Sequence, residues 1–312
     1  MGFGVSSHRS RGWHVTATAG TFGAAAAAAK LLKLDKAKII SALGMAGTQS
    51  FGLWAFLADG ANCKILHPAR AAVSGTEAAF LAKSGMTGPE HILDAKDGGL
   101  FAATSDQYDL SLVSKDLGKK YELMYMDNKP YPCCRSTHCA IDAAIAIKNE
   151  YDITKDDIES IEVATYLVGY KQCGVSVGSI NPVNPVDAKF STPYTVACAF
   201  VFGEVTLNEF KQENINKPEI RNLLRKVTVV PVDKYTDVYP NHWGCEMKVM
   251  CRDGRILVKE VADASGSVSN PLSKEQVKSK ALSLISNAYP KDAYSIVNAI
   301  MAIDDAQKIP SI

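Results

Sequence analysis

Three short segments of the chain concentrate side chains that can bind an anion or move a proton. The first runs from Gly12 to Thr21 and contains the imidazole of His14 with the hydroxyl groups of Thr16 and Thr18. It directly precedes a run of helix-forming residues, and the unpaired N–H groups at a helix N-terminus favour an anion. The alternative is that Thr18 caps the helix and His14 occupies a surface niche.

The second segment is Lys64-Ile-Leu-His67-Pro-Ala-Arg70. Lys64 and His67 stand just before a predicted helix that begins at Pro68, so two cationic groups again meet free backbone donors. This pattern indicates a site for a carboxylate or another anion. A solvated basic turn is the alternative.

The third segment, residues 129–138, is the densest of the three. Two prolines fix an extended backbone, and the segment supplies the candidate side chains Lys129, Tyr131, Cys134, Arg135 and His138. Arg135 could hold a carboxylate through two parallel hydrogen bonds. His138 could act as a general acid or base, or as a hydrogen-bond donor. A rigid linker into a second domain is the alternative, and it is compatible with a catalytic role.

The sequence gives no support for a metal or an organic cofactor. The adjacent pair Cys133 and Cys134 supplies too few ligands for a structural zinc site, and the glycine patterns of dinucleotide and P-loop sites are absent. Elsewhere, Pro240-Asn-His242-Trp favours a strand-entry loop, and His8 and His91 are interpreted as surface residues. We therefore expect no cofactor and no metal.

Composition limits the possible partners. The 312 residues carry 34 Lys and Arg against 33 Asp and Glu, so no whole-chain field attracts nucleic acid or an anionic membrane. The longest apolar stretch, around Ala24–Ala29, is too short to span a bilayer. The eight cysteines lack a disulfide or zinc spacing, which indicates reduced thiols and a cytoplasmic location.

The periodicity of the sequence predicts the elements that position these segments. Residues 18–123 have helical patterns, residues 129–264 mix helices and strands, and the chain is helical again from Ser273, where Ser273-Lys-Glu-Gln resembles a capping box. The predicted fold is mixed α and α+β, an all-helical domain split in sequence by an inserted α+β lid, with boundaries at 1–128, 129–268 and 269–312. The predicted helices cover 20–33, 35–45, 68–83, 87–93, 137–149, 192–202 and 293–303, and the predicted strands cover 158–166, 226–232, 245–251 and 256–261.

Taken together, the segments resemble the MmgE/PrpD family. The resemblance rests on Gly12-Trp-His-Val-Thr-Ala-Thr with its alanine helix, Lys64-Ile-Leu-His-Pro-Ala-Arg, Lys129-Pro-Tyr-Pro-Cys-Cys-Arg-Ser-Thr-His, Ala188-Lys-Phe-Ser-Thr-Pro-Tyr and Asn270-Pro-Leu-Ser, in that order. It implies a split helical domain with an inserted lid, an active site between the two, and a homodimer. The family includes 2-methylcitrate dehydratases, cis-aconitate decarboxylases and iminodisuccinate epimerases.

The resemblance also assigns residues. It places His14, Lys64, Lys129 and the stretch from Cys134 to His138 at the family's active-site positions. Some decarboxylases have a histidine near Cys134, so cysteine here favours another reaction. Members of the family carry a long helical segment before the His-x-Thr-x-Thr block, whereas eleven residues precede Gly12 here. We therefore expect part of the helical domain and of the site to be absent from this chain.

The most specific hypothesis is a lyase that dehydrates a 2-methylcitrate-like hydroxy acid. Fixed cations stabilise the charge that develops beside a carboxylate, and histidines move the protons. The catalytic residues are expected to be His14, Lys64 and His138, and the substrate-binding residues Thr16, Thr18, His67, Lys129, Tyr131, Cys134 and Arg135. The alternatives are an epimerase or isomerase, a decarboxylase of a related acid, a truncated ligand-binding or assembly protein without catalysis, and an inert truncated product. A small carboxylic acid is the expected partner, with no nucleic acid and no membrane.

Overall fold

The computed structural model describes residues 5–303. The chain divides into two compact units, Met1–Tyr121 and Glu122–Ile312, and each is described by itself. Within the described residues, no helix is long and apolar enough to cross a membrane.

The first unit is helical, as predicted. Its helices are α1 (Val5–Ser10), α2 (Val15–Thr18), α3 (Gly20–Leu31), α4 (Lys36–Thr48), α5 (Leu66–Lys83), α6 (Leu100–Thr104) and α7 (Ser111–Ser114). The predicted cap of α4 is confirmed, since the Asp35 carboxylate accepts a hydrogen bond from the backbone N–H of Lys38 at 2.9 Å. Helix α5 begins at Leu66, two residues before the predicted start at Pro68.

Small residues allow α3, α4 and α5 to pack closely. Their shared core is built mostly from alanine, with Ala25, Ala42 and Ala78 fully buried. Gly75 lies in α5, and a side chain there would collide with the backbone of α3 at Thr21. Helices α3 and α5 therefore approach as closely as glycine permits. This close packing fixes α5, whose N-terminal turn carries one of the candidate histidines.

The predicted helix over 87–93 is wrong. Residues 86–89 have no regular structure and residues 90–94 form turns. The reason is tertiary: a side chain at Gly88 would overlap the backbone of α4 at Ser41 and Met45. The segment therefore crosses α4 in close contact, and this approach prevails over its local helical signal.

The second unit combines helices with one sheet. Its helices are α8 (His138–Tyr151), α9 (Leu167–Cys173), α10 (Val177–Ile180), α11 (Pro185–Lys189), α12 (Thr192–Phe202), α13 (Gln212–Ile215), α14 (Pro218–Leu224), α15 (Asp233–Thr236), α16 (Lys274–Ile285) and α17 (Ala293–Met301). Its strands are β1 (Ile158–Thr165), β2 (Val227–Pro231), β3 (Cys245–Cys251) and β4 (Ile256–Val261).

The four strands form one mixed sheet in the order β2-β1-β3-β4. Strand β1 pairs parallel with β2 and antiparallel with β3, and β3 and β4 form the predicted hairpin around Asp253 and Gly254. Gly254 has a φ of +89°, which explains a glycine at this tight turn. All four predicted strands are therefore confirmed within one or two residues.

Helices α8 and α12 share a buried core with the sheet. Ile141 and Ile147 of α8, Phe200 of α12 and Val163 of β1 are almost entirely buried in it. Because α8 is fixed by this core, its first residue, His138, is held in place as well. The capping box at Ser273 is confirmed, with Gln276 as its partner. The combination of helices with a sheet confirms the mixed class, whereas the return of 269–312 to the helical domain stays a prediction.

Candidate functional site

Backbone pairing positions His14. Trp13 forms an isolated antiparallel bridge with Leu53, and the backbone N–H of His14 donates to the carbonyl of Gly52 at 2.9 Å. Gly52 has a φ of +101°, and a Cβ there would lie 2.6 Å from the Cβ of Ala17. The sequence thus requires glycine beside the histidine.

His14 and His67 meet side chain to side chain. His67 lies in the first turn of α5, and its Nδ1 is 2.6 Å from the Nδ1 of His14. The exposed fractions are 6% for His14 and 8% for His67, and the ring of Phe56 packs against both imidazoles. The structure therefore joins two residues that lie 53 positions apart in the sequence.

Cationic side chains surround this pair. The ring of Trp54 lies 4.6 Å from that of His14, with the Lys64 Nζ 5.7 Å and the Arg9 guanidinium 4.3 Å from the Trp54 ring centre. Burial, followed by His67, Lys64 and Arg9, lowers the pKa of His14 from 6.5 to about 4. Burial and then Lys64 also lower the pKa of His67. Both imidazoles are therefore neutral at neutral pH, beside positive charge.

The two threonines of this segment behave differently. Thr16 is exposed, whereas the hydroxyl of Thr18 is buried 2.9 Å from the Nε2 of His8. Thr18 does not cap α3, whose N-cap is Ala19 without a side-chain bond. The interpretation of His8 as a surface residue is wrong, since only 2% of it is exposed.

Sequence reasoning missed two residues here, Arg9 and Trp54. Neither lies in the three segments that the sequence singled out. The bridge between residues 13 and 53 brings Trp54 to His14, and Arg9 lies over the Trp54 ring. A short 3-10 helix over Trp54–Leu57 then turns the chain toward Lys64. No local signal could have indicated this contact.

A second cluster lies in the second unit and centres on Arg135. Its Nε donates to the Asp127 carboxylate at 3.0 Å, and its Nη1 donates to the Ser265 carbonyl at 2.9 Å. Further bonds run from Nη1 to the Nδ1 of His138 at 2.9 Å and from Nη2 to the Ala264 carbonyl at 3.3 Å. Four of its five N–H groups are thus engaged, so a two-bond grip on a carboxylate would require one of these bonds to break.

Arg135 determines the tautomer of His138. A guanidinium only donates hydrogen bonds, so the His138 Nδ1 must accept and the ring proton must lie on Nε2. That Nε2 is buried, and it has no hydrogen-bond partner among residues 5–303. Burial, followed by Arg135 and Lys129, lowers the pKa of His138 to about 3. The Cys133 backbone has a smaller effect that raises this pKa. His138 is therefore a neutral ring whose Nε2–H has no acceptor in full hydrogen-bond geometry among residues 5–303.

The remaining candidates of this segment lie around that ring. Tyr131 packs edge-on against His138 at 5.1 Å, and its hydroxyl donates to Asp142 at 2.6 Å. The Lys129 Nζ donates to the Cys133 carbonyl at 3.1 Å. The half-buried Cys134 Sγ lies 3.9 Å from the Gln172 side-chain oxygen. The local cluster of the sequence is thus also a cluster in space.

Two further features of the described residues concern the Cys133 thiol and the grouping of possible metal ligands. Burial raises the pKa of the Cys133 thiol to about 12, so this group stays protonated. Across residues 5–303, no three His, Cys, Asp or Glu side chains are grouped so that they could hold a metal ion.

Comparison with known proteins gives two family matches. The model of the MmgE/PrpD N-terminal domain matches residues 2–113, and that of the MmgE/PrpD C-terminal domain matches residues 131–304. These ranges cover the whole first cluster and, in the second, the residues named above except Asp127 and Lys129.

Three curated relatives share most of this chain. The cis-aconitate decarboxylase of Homo sapiens is 30% identical over 305 residues, which are 95% of this chain and 61% of the relative. The enzyme of the same name from Mus musculus is 28% identical over 308 residues, 95% of this chain and 60% of the relative. A cis-aconitate decarboxylase-like protein, oryM of Aspergillus oryzae, is 26% identical over 313 residues, which are 96% of this chain and 64% of the relative. The chain thus spans about three fifths of the length of these relatives.

Proposed function

The chain belongs to the MmgE/PrpD family, and from this premise we propose that the protein is a lyase acting on a small di- or tricarboxylic acid. The first candidate reaction is loss of carbon dioxide from cis-aconitate, the substrate named for its curated relatives. One observation carries the proposal: the neutral pair His14 and His67 lies beside Lys64 and Arg9.

This arrangement suits a reaction in which charge develops on carbon. When a carboxylate leaves as carbon dioxide, its bonding electrons stay on the carbon, which must then gain a proton. Fixed cations such as Lys64 stabilise the anionic substrate and the developing charge, most strongly where water is excluded. A neutral imidazole at His14 can deliver the proton to the carbon.

The second cluster suits binding and orientation. The His138 Nε2–H is a donor of fixed direction, and Lys129 adds a positive charge to the same segment. We assign His138 the role of donor to a substrate oxygen and Arg135 the role of holding that donor. Tyr131 and Cys134 are proposed to complete the binding surface of this unit.

Dehydration of a 2-methylcitrate-like acid is the second candidate. Cys134 favours it, because some decarboxylases of the family have a histidine near this position. A dehydratase needs a base at carbon and an acid at the departing hydroxyl, and the two imidazoles supply both. Epimerisation would use the same proton removal. The homodimer and the cytoplasmic location stay predictions.

A turnover assay on the purified chain tests the proposal. Cis-aconitate, 2-methylcitrate and an amino-dicarboxylate would each be followed by proton NMR, which separates decarboxylation, dehydration and epimerisation by their products. We expect Lys64→Met to lower kcat/KM by about 10²–10³-fold, the typical cost of losing one preorganised electrostatic contact.

Lys83→Met is the matched control, because Lys83 is an exposed lysine at the C-terminal end of α5, while Lys64 lies just before its N-terminal end. It should leave turnover unchanged. Equal turnover of Lys64→Met and the unaltered chain would remove Lys64 from the reaction. Binding of these acids without any turnover would instead favour the non-catalytic ligand-binding alternative.

A further inference from the structure

The contact between His14 and His67 places one proton between two equivalent nitrogens. A neutral imidazole carries a single N–H, and each of these rings is neutral at neutral pH. With the two Nδ1 atoms 2.6 Å apart, one must donate and the other must accept. Neither ring is intrinsically the donor, because both atoms are the same type of nitrogen.

This constraint fixes the opposite nitrogens as well. The ring that donates through Nδ1 has a bare Nε2, which is a base. The ring that accepts through Nδ1 carries its proton on Nε2, which is an acid. Within residues 5–303, the hydrogen bonds of both rings consist of this one contact, so no described residue occupies either Nε2.

We propose that His14 and His67 form a proton relay, in which a proton that enters at one Nε2 causes a proton to leave at the other. The inference rests on the proposed function for its substrate, a small carboxylic acid, and it assigns His67 a catalytic role beyond binding. In the alternative arrangement of the shared proton, the same two nitrogens exchange their roles as acid and base.

The step balances in protons and electrons. In decarboxylation the carbon–carbon bond to the carboxylate breaks, and the electron pair left on carbon takes the proton from the acidic Nε2. The shared proton then shifts between the Nδ1 atoms, and the other Nε2 gains a proton from water. The hydroxide that remains combines with the released carbon dioxide to give bicarbonate. Both rings end neutral, with their tautomers exchanged.

The residues around His14 and His67 disfavour a protonated, positively charged imidazole, and so favour passing a proton through the pair. Arg9 of α1 and Lys64 of the 3-10 helix Asn62–Ile65 act on the pair as positive groups, and burial adds to their effect. A second positive charge on the imidazoles is therefore disfavoured, so a proton taken up must be passed on. Gly52 lies close to the pair, since a Cβ added there would be 3.5 Å from the His67 Nδ1.

Nitrogen-15 NMR of the resting protein tests the relay without any substrate. With uniformly labelled chain, we expect the Nδ1 shifts of His14 and His67 to be averaged between protonated and bare imidazole nitrogen. In His67→Gln the amide can hydrogen-bond to His14 but cannot pass a proton through itself. His14 should then show one fixed tautomer, and kcat should fall by about 10²–10⁴-fold with little change in KM.

His91→Gln is the matched control, because the His91 side chain is 73% exposed and its partner is Asp94. It should change neither the spectra of His14 and His67 nor turnover. Two permanently distinct Nδ1 signals in the unaltered chain, one fully protonated and one fully bare, would overturn the relay. So would normal turnover in His67→Gln. Averaged signals in a chain that turns over no carboxylic acid would contradict the proposed function and leave the shared proton established.

Discussion

His14 and His138 are both buried, and in both cases burial and nearby cations lower the pKa. They differ in what faces Nδ1. The partner of His14 is another histidine, which can donate or accept, so its proton has two possible positions. The partner of His138 is Arg135, which only donates, so its proton has one.

The difference shows how the neighbour of a histidine determines the chemistry available to it. A ring opposite an identical ring can exchange acid and base roles, as proton transfer requires. A ring opposite a guanidinium keeps one tautomer and offers a directed donor, as binding requires. Burial alone would not separate these roles, because it affects both rings in the same direction.

Among the substitutions, the largest expected loss of stability comes from Arg135→Met, which removes the feature that distinguishes His138. The substitution leaves His138 Nδ1 and the carbonyls of Ala264 and Ser265 without their donor, and we expect the free energy of unfolding to fall by about 3 kcal/mol. Losing the guanidinium charge should also raise the pKa of His138, since Arg135 helps to lower it. Urea unfolding and histidine NMR measure the two effects.

Arg255→Met controls for the loss of an arginine. Arg255 pairs with Asp253 at 2.7 Å, but both side chains are about half exposed. Its loss should change stability little. A similar result for Arg135 would mean that the bonds around His138 do not hold its ring, and the contrast between the two clusters would disappear.

Acid should destabilise the protein through both histidines. Each pKa is lower in the folded chain than the ordinary 6.5, so the unfolded chain binds more protons as the pH falls below about 6.5. Each histidine then removes roughly 1.4 kcal/mol of stability per pH unit. The contribution of His14 ends near pH 4 and that of His138 near pH 3. Above about pH 6.5 neither contributes a slope.

Urea unfolding at pH 7, 5 and 4 measures this slope. His138→Gln should reduce it, while replacement of the exposed His91 by glutamine should not. A slope that is unchanged in His138→Gln would show that the folded protein protonates His138 as readily as the unfolded chain does.

The smallest effect is expected from crowding the pair with Gly52→Ala. Gly52 and Gly85 have nearly the same φ, +101° and +99°, so alanine would add backbone strain of about 1–2 kcal/mol at both. Only at Gly52 does the new Cβ meet Ala17, at 2.6 Å, while nothing lies within 4 Å at Gly85. We expect Gly52→Ala to cost about 1–2 kcal/mol more than Gly85→Ala and to shift the NMR signals of His14 and His67. Thermal unfolding of both variants gives the comparison, and equal costs would show that the pair has room to relax.

Local signals accounted for the four strands and for the longer helices, whereas the short helices such as α9–α11 and α13–α15 were not predicted. The alanine run, the Asp35 cap, the Ser273 capping box and the Asp-Gly hairpin each appear where the sequence predicted them. They succeed because caps, turns and periodic patterns act over a few residues. The helix predicted over 87–93 fails because Gly88 is required for contact with α4, which lies more than forty positions earlier.

The sequence by itself determined which residue types were available for chemistry. It placed Lys129, Tyr131, Arg135 and His138 within one stretch of ten residues. It also carried the motifs of the family. The tertiary structure decided which of these residues meet. It places His14 against His67 and Arg9 over the Trp54 ring. It also directs the N–H groups of Arg135 to Asp127 and to the backbone carbonyls of residues 264 and 265. The physical reason is that hydrogen-bond direction and burial depend on residues far apart in the chain, and these two factors fix where each proton lies.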